Sequence, residues 1–104
     1  MKTRWIAVGL FVFSSTAFGW QDVSKSAIVP AGGVYCTSIG NLDDFGGYAL
    51  DGDQRGATRM VNEGKCAIAS RNIRVSVFQE NADYANFIAP SGNAFYTLKG
   101  YLQY

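Results

Sequence analysis

The fold class follows from residues 73–99, which read IRVSVFQENADYANFIAPSGNAFYTLK. At the start of this stretch the apolar residues Ile73, Val75 and Val77 alternate with polar ones. Successive side chains of a β-strand point to opposite faces, so this period of two predicts a strand with one buried and one exposed face. We therefore expect a sheet that covers a core with one of its faces.

Turn-forming residues divide the rest of this stretch into further strands. Asn, Asp, Pro, Ser and Gly are concentrated at 80–83 and 90–93, where they favour tight reversals of the chain. They delimit predicted strands at 84–89 and 94–99, and residues 101–102 are expected to form a short closing strand. Turn signals every 8–12 residues or so, roughly as here, are typical of an antiparallel meander that curls into a small barrel.

A helical period replaces the strand period in residues 41–63. Leu42, Phe45 and Ala49 recur three to four residues apart, which predicts a first helix with one apolar face. Asn41 is of a residue type that caps helices and is placed at the start of this pattern.

A break between two helices is predicted at residues 51–53. Gly52 suits the left-handed turn that ends a helix, and Asp53 suits the cap of the next one. We therefore predict an α+β protein, with a short helical hairpin at 41–63 followed by a small antiparallel β-meander or barrel at 66–102.

The residues before the hairpin are expected to contribute little to the sheet. Residues 20–26 are polar and are expected to fray. The apolar pieces at 27–29 and 34–36 are separated by Pro30 and two glycines, which limits them to an edge strand or an extended arm.

Residues 1–19 have the order of an export signal. Lys2 and Arg4 form a basic start, an apolar run without charge follows, and small residues end the segment. An uncleaved membrane anchor is the alternative, but a helix that crosses a bilayer needs about 20 apolar residues and this run is shorter. We expect a cleaved signal peptide and no membrane span after cleavage.

Ala17 and Gly19 would occupy the small-residue positions of the cleavage site, which places the cut before Trp20; a cut after Ala17 is the alternative. Residues 20–104 would then be a single small exported domain, periplasmic or secreted. Removal of two basic residues leaves seven against eight acidic ones, a net charge of −1. This balance disfavours nucleic acid as a partner.

Cys36 and Cys66 are the only cysteines, and they flank the predicted hairpin. In an oxidising compartment a disulfide between them is expected, and closing a loop of this length would contribute roughly 3–4 kcal/mol. Two free thiols or half of a metal site are the alternatives. The chain has no histidine, so a zinc site is disfavoured.

A series of short motifs occurs in order along the last third of the chain. They are Val75-Ser76-Val77-Phe78, Tyr84-Ala85-Asn86-Phe87, Pro90-Ser91-Gly92, Phe95-Tyr96 and Tyr101-Leu102. In this order the segment of about 66–102 resembles the C-terminal half of bacterial Src-homology-3-like domains. The helical hairpin stands where the N-terminal half of such a domain would lie.

The resemblance implies binding rather than chemistry, because many such domains in exported bacterial proteins bind cell-wall peptides or proteins. Tyr84, Tyr96 and Tyr101 fall at the aromatic positions of the motifs. Tyrosine offers a large contact area at low entropic cost, which makes these three the candidate binding residues. The alternative is that they fill the core, as most strand aromatics do.

Catalytic groups are sparse in this chain. Without histidine there is no Ser-His-Asp or Cys-His arrangement. Paired carboxylates could still act as acid and base, but the candidates are better explained as helix caps and first-turn charges: Asp43, Asp44, Asp51 and Asp53. A calcium-like run at 51–56 has Arg55 where an oxygen ligand belongs. We expect no enzyme, metal or cofactor.

Two functional hypotheses follow. The leading one is a non-catalytic binding module of a bacterial envelope, whose partner is a protein or a cell-wall component. The alternative is a small inhibitor or immunity-type protein that blocks an enzyme acting in the envelope, with the helical hairpin as its protruding element.

Overall fold

The computed structural model describes residues 19–104, so the predicted signal peptide lies outside the described residues except for Gly19. Six strands, two α-helices and one 3₁₀ turn follow one another in this part of the chain. They are β1 (Gln21–Val29), β2 (Val34–Cys36), α1 (Ile39–Asp51), α2 (Gln54–Asn62), β3 (Cys66–Ile68), β4 (Ile73–Glu80), β5 (Tyr84–Ile88), β6 (Ala94–Leu98) and the 3₁₀ turn Lys99–Tyr101.

The strands form one sheet in the order β1-β4-β5-β6-β2-β3, and every neighbouring pair is antiparallel. The predicted α+β class and the meander from β4 to β6 are confirmed. The two helices lie between β2 and β3 in the chain, as the helical period of the sequence indicates. Within residues 19–104, no helix is both long and apolar enough to cross a membrane.

The N-terminal strand corrects one expectation. Residues 20–26 were expected to fray, but Gln21 pairs with Glu80 and the pairing continues to Val29 opposite Ile73. The polar composition reflects the position of β1 at the edge of the sheet, where much of its surface faces solvent. β2 also differs from the expectation of an edge strand or arm, because it lies between β6 and β3.

A single bridged residue, Gln103, replaces the closing strand expected at residues 101–102. Tyr101 ends the 3₁₀ turn, and Leu102 packs into the core. Gln103 then pairs with Ile28 through two backbone hydrogen bonds of 2.8 and 3.0 Å. A strand at 101–102 is therefore wrong, because Leu102 anchors the segment in the core and Gln103 meets the free edge of β1.

One hydrophobic core, called the sheet core here, lies on one face of the sheet. Phe87 and Val77 are among its most deeply buried large members. The ring of Tyr35 packs edge-to-face against both Phe87 and Phe95. Its buried members come from strands, from the segment after β3 and from the C-terminal segment: Ala27, Val29, Ala69, Val75, Val77, Ala85, Phe87 and Leu102. The alternating apolar residues at the start of β4, Val75 and Val77, thus face this core as predicted.

A second core, called the hairpin core, joins the helices to β2 and β3. It consists of Cys36, Leu42, Phe45, Met60 and Cys66. The predicted disulfide between Cys36 and Cys66 is present, and the two residues are direct partners across β2 and β3. It therefore clamps the base of the hairpin.

The helix ends follow the sequence signals with one exception. Gly52 adopts the left-handed conformation with φ 72°, and Asp53 accepts a hydrogen bond of 2.9 Å from the Gly56 backbone N–H. The cap of α1 is Ser38 rather than Asn41, because Ser38 is extended and its hydroxyl accepts from the Asn41 backbone N–H at 3.0 Å. Helix α1 thus begins nearly one turn earlier than the apolar pattern indicates.

Candidate functional site

An apolar groove lies between α1 and the end of β6, and we call it the helix–sheet groove. Its volume is about 390 Å³. The lining residues are Val34, Leu42, Asp43, Phe45, Gly46, Gly47, Ala49, Leu50, Leu98 and Tyr101. Helix α1 supplies one wall, and the end of β6 with the 3₁₀ turn supplies the other.

Three large apolar side chains of this groove face solvent. Leu50 is 90% exposed, Tyr101 41% and Leu98 36%. Leu50 follows Ala49 and lies outside the apolar stripe that packs α1 onto the sheet through Leu42 and Phe45. An exposed leucine costs little when it stands alone, whereas several exposed apolar side chains that line one groove make it a candidate contact surface.

Two glycines, Gly46 and Gly47, leave part of the helical wall of the groove without side chains. A Cβ atom added to Gly46 or Gly47 would have no atom within 4 Å. These positions do not serve close packing of α1 on its neighbours, because the space above them is open. Glycine in a helix is less favourable than alanine by about 1 kcal/mol, so α1 loses stability here without a gain in packing.

One acidic side chain lines the groove, and it is Asp43. Asp44 and Asp51 lie exposed elsewhere on the same helix. The Tyr84 hydroxyl donates a hydrogen bond of 2.9 Å to Asp43 Oδ1, and this contact raises the pKa of Tyr84 above its ordinary value. No lysine or arginine is among the residues that line the groove.

The structure brings two of the three candidate tyrosines to this groove. Tyr101 lines it directly, and Tyr84 borders it through its hydrogen bond to Asp43 and its place opposite Leu98 in the sheet. Tyr96 lies elsewhere, with its ring edge-to-face against Trp20 at a centroid distance of 5.8 Å. Tyr84 and Tyr96 are both half-buried, so Tyr101 offers the most accessible ring.

Sequence reasoning missed Leu50, Leu98 and the two glycines as site residues. A signal was present for Leu50, because an apolar residue outside the buried stripe of an amphipathic helix must face something other than the core. Leu98 carries no such signal, since it simply continues the apolar pattern of β6. The groove exists only when the hairpin folds back onto the end of β6.

A buried carboxylate occupies a different part of the molecule. Glu80 accepts from Lys25 Nζ at 2.8 Å and from the Tyr104 hydroxyl at 2.6 Å, and Lys99 Nζ lies 3.4 Å away. The hydrogen bond from Lys25, followed by that from Tyr104, lowers the pKa of Glu80 to about 2. Burial and the contact with Glu80 raise the pKa of Tyr104. This carboxylate is fully paired and anchors the C-terminal segment.

Two of the other candidate carboxylates are engaged in hydrogen bonds. Asp53 is occupied as the cap of α2, and Asp43 accepts from Tyr84. Among residues 19–104, no three metal-ligating side chains are grouped closely enough to hold an ion.

Comparisons with protein-family models, curated proteins and solved structures find no match to this chain.

Proposed function

We propose that this chain is a non-catalytic, exported binding module of a bacterial envelope, and that its helix–sheet groove takes an apolar side chain from a partner protein. The observation that carries the proposal is the exposure of Leu50, Leu98 and Tyr101 along a single groove. Burying an exposed leucine side chain contributes about 1.5–3 kcal/mol, which is enough to make such a contact matter.

Asp43 determines which residues are favoured next to that side chain. Because Asp43 lines the groove and no lysine or arginine does, a basic residue beside the apolar one would find a complementary charge. The favoured ligand is therefore an apolar residue flanked by basic ones in a protein segment. A cell-wall fragment is the other occupant that the experiment below can reveal.

Two further features bear on the setting of this proposal. The Cys36–Cys66 disulfide suits an oxidising compartment, in agreement with the signal-like residues 1–19. We also propose that the meander from β4 to β6, together with the bridge between Gln103 and Ile28 of β1, belongs to a small barrel of the kind that the Src-homology-3-like resemblance implies.

The proposal is tested with an array of peptides in which an apolar residue is flanked by basic, neutral or acidic residues. We expect the basic series to bind best, and binding to weaken as salt is raised. Leu50→Ser should weaken binding at least tenfold, because it removes an apolar contact with the ligand. It should leave the fold intact, because the Leu50 side chain is exposed.

Val61→Ser is the matched control, since Val61 is 36% exposed on α2 and does not line the groove. Equal binding of Leu50→Ser and Val61→Ser would contradict the proposal. So would saturable binding of muropeptides that Leu50→Ser abolishes, because the occupant would then be a cell-wall fragment.

The inhibitor hypothesis draws support from the outer face of α2. Arg55 and Arg59 lie exposed along a shallow hollow of about 630 Å³, away from the core. In this hypothesis the arginine-bearing face of α2 blocks the active site of an acidic enzyme. Inhibition of a purified lytic enzyme that is lost in the Arg55→Glu, Arg59→Glu variant and kept in Leu50→Ser would favour this hypothesis over the groove.

A further inference from the structure

A second concave site lies at the opposite end of β6 from the helix–sheet groove, and we call it the arginine cup. Its volume is about 690 Å³, within the range of small-molecule sites. The turn between β3 and β4 supplies Ser70, Arg71 and Asn72 to one rim, and the turn between β5 and β6 supplies Pro90 and Ser91 to the other.

The cup carries two positive charges and no negative one. Arg71 and Arg74 both line it, and no aspartate or glutamate is among its lining residues. Arg74 also lines an adjoining hollow with Ser26 and Ser76, so it borders the cup, whereas Arg71 lies in the turn that forms its rim. Within residues 19–104 neither guanidinium takes part in an ion pair; Arg74 Nη1 makes one long hydrogen bond, 3.4 Å, to Ser26 Oγ. Planar guanidinium groups are suited to oxyanions, which they bind through paired N–H donors.

Hydrogen bonds of the backbone and of the Asn72 side chain hold both rims in place. On the side of Arg71, Asn72 Oδ1 accepts from the Ala31 backbone N–H at 3.0 Å, and Gly32 N–H donates to Ala69 O at 2.7 Å. On the other side, Ala89 N–H donates to Asn93 O at 2.9 Å. A site whose frame is formed before the ligand arrives loses less entropy on binding.

The interior of the cup is apolar. Tyr35 and Phe95 line it with their rings edge-to-face at a centroid distance of 5.0 Å, and Ile73 lies beside them. Both aromatic residues are half-buried, so part of each remains available to a ligand. An apolar or aromatic ligand body can therefore pack inside while its charged group meets the rim.

We propose that the arginine cup binds an oxyanion carried on an apolar or aromatic body. Arg71 and Arg74 hold the oxyanion, and Tyr35 and Phe95 contact the body. The shared chemistry covers carboxylates and phosphate monoesters, which the experiment separates. This site shares no lining residue with the helix–sheet groove, so the result of its test is independent of the function proposed above.

The test is a titration of the ¹⁵N-labelled protein with phenylacetate, phenyl phosphate, phenylacetamide and acetate. We expect phenylacetate or phenyl phosphate to shift the amides of residues 69–74 and 89–95 saturably. The preferred anion should bind at least tenfold more tightly than neutral phenylacetamide, and phenylacetate should bind at least fivefold more tightly than acetate. The ratio of phenylacetate to phenyl phosphate identifies the preferred oxyanion.

The variant Arg71→Gln, Arg74→Gln should raise the dissociation constant at least tenfold. The matched control is Arg55→Gln, Arg59→Gln, which removes two arginines outside the cup and should change the constant less than twofold. Comparable amide spectra in the absence of ligand show that both variants fold. Equal binding of the anion and the amide, or equal loss in both double variants, would overturn the proposal.

Discussion

The sheet core and the hairpin core are stabilised in different ways. The sheet core joins eight buried residues, is completed by Tyr35 and Phe95, and contains no disulfide, so apolar contact and strand pairing hold it together. The hairpin core has five buried members, and two of these are the cysteines of the disulfide. A covalent bond thus supplements apolar contact in the smaller of the two cores.

The helices themselves explain why this bond is needed. Helix α1 has three glycines among 13 residues, and α2 is only nine residues long. Helices this short are marginal in water without tertiary contacts. The hairpin therefore depends on Leu42, Phe45, Met60 and the disulfide, whereas the sheet holds itself together.

The largest expected effect tests the sheet core. Phe87→Ala should lower the free energy of unfolding by about 3–5 kcal/mol, because Phe87 is 1% exposed and contacts two other rings. Urea denaturation measures this loss. Ile88→Ala is the control from the next position on the exposed face, with a loss of less than about 1.5 kcal/mol expected. Similar losses for both variants would contradict a sheet core centred on Phe87.

The next effect separates the two cores. Replacing both cysteines, Cys36→Ser with Cys66→Ser, should lower the free energy of unfolding by roughly 3 kcal/mol, because the unfolded chain regains the freedom of a 30-residue loop. Hydrogen exchange should accelerate most in α1 and α2 and least in β4 and β5. Uniform acceleration over the whole chain would mean that the hairpin is not a separately stabilised region.

A third prediction concerns the contact between the helices. A Cβ atom at Gly56 would lie 2.6 Å from Tyr48 Cδ1, so Gly56→Ala should destabilise the protein by about 1–3 kcal/mol. Gly46→Ala is the matched control, because its Cβ meets nothing within 4 Å; it should stabilise the protein by about 0.5–1 kcal/mol. Thermal unfolding measures both changes, and shifts of the same sign would refute the assigned packing of α1 on α2.

The smallest effect is a pH dependence outside both cores. The pKa of Glu80 is lowered from 4.5 to about 2 in the folded protein, so its contribution is present above pH 4.5 and is lost as the pH falls towards 2. We expect a contribution of roughly 1–2 kcal/mol, since Lys25 is partly exposed and the pair is screened. Glu80→Gln should remove this part of the pH dependence. An unchanged acid limb in Glu80→Gln would show that other carboxylates cause it.

Sequence reasoning recovers what is encoded locally. The alternation in β4, the left-handed Gly52, the cap at Asp53 and the cysteine pair are each encoded in a few residues, and the structure has them all. By contrast, the first half of β1 is mostly polar, and its place in the sheet comes from pairing with β4, some 50 residues later in sequence.

The candidate site was less predictable for the same reason. Its lining comes from β2, α1, β6 and the 3₁₀ turn, whose approach depends on how the hairpin folds back. The aromatic pattern pointed to Tyr84, Tyr96 and Tyr101 without separating them. Only the pairing of β5 with β6 and the contact of Tyr84 with Asp43 place Tyr84 and Tyr101 near the groove and Tyr96 beside Trp20.

The position of the disulfide also determines the covalent topology of the hairpin. Cys36 and Cys66 close a ring that contains α1 and α2 in full. A protease that cuts once between residues 37 and 65 opens this ring without releasing a fragment. The nicked protein would migrate as one species on a gel without reductant and as two with it. The wall of the groove that carries Leu50 therefore remains attached to the sheet after such a cut.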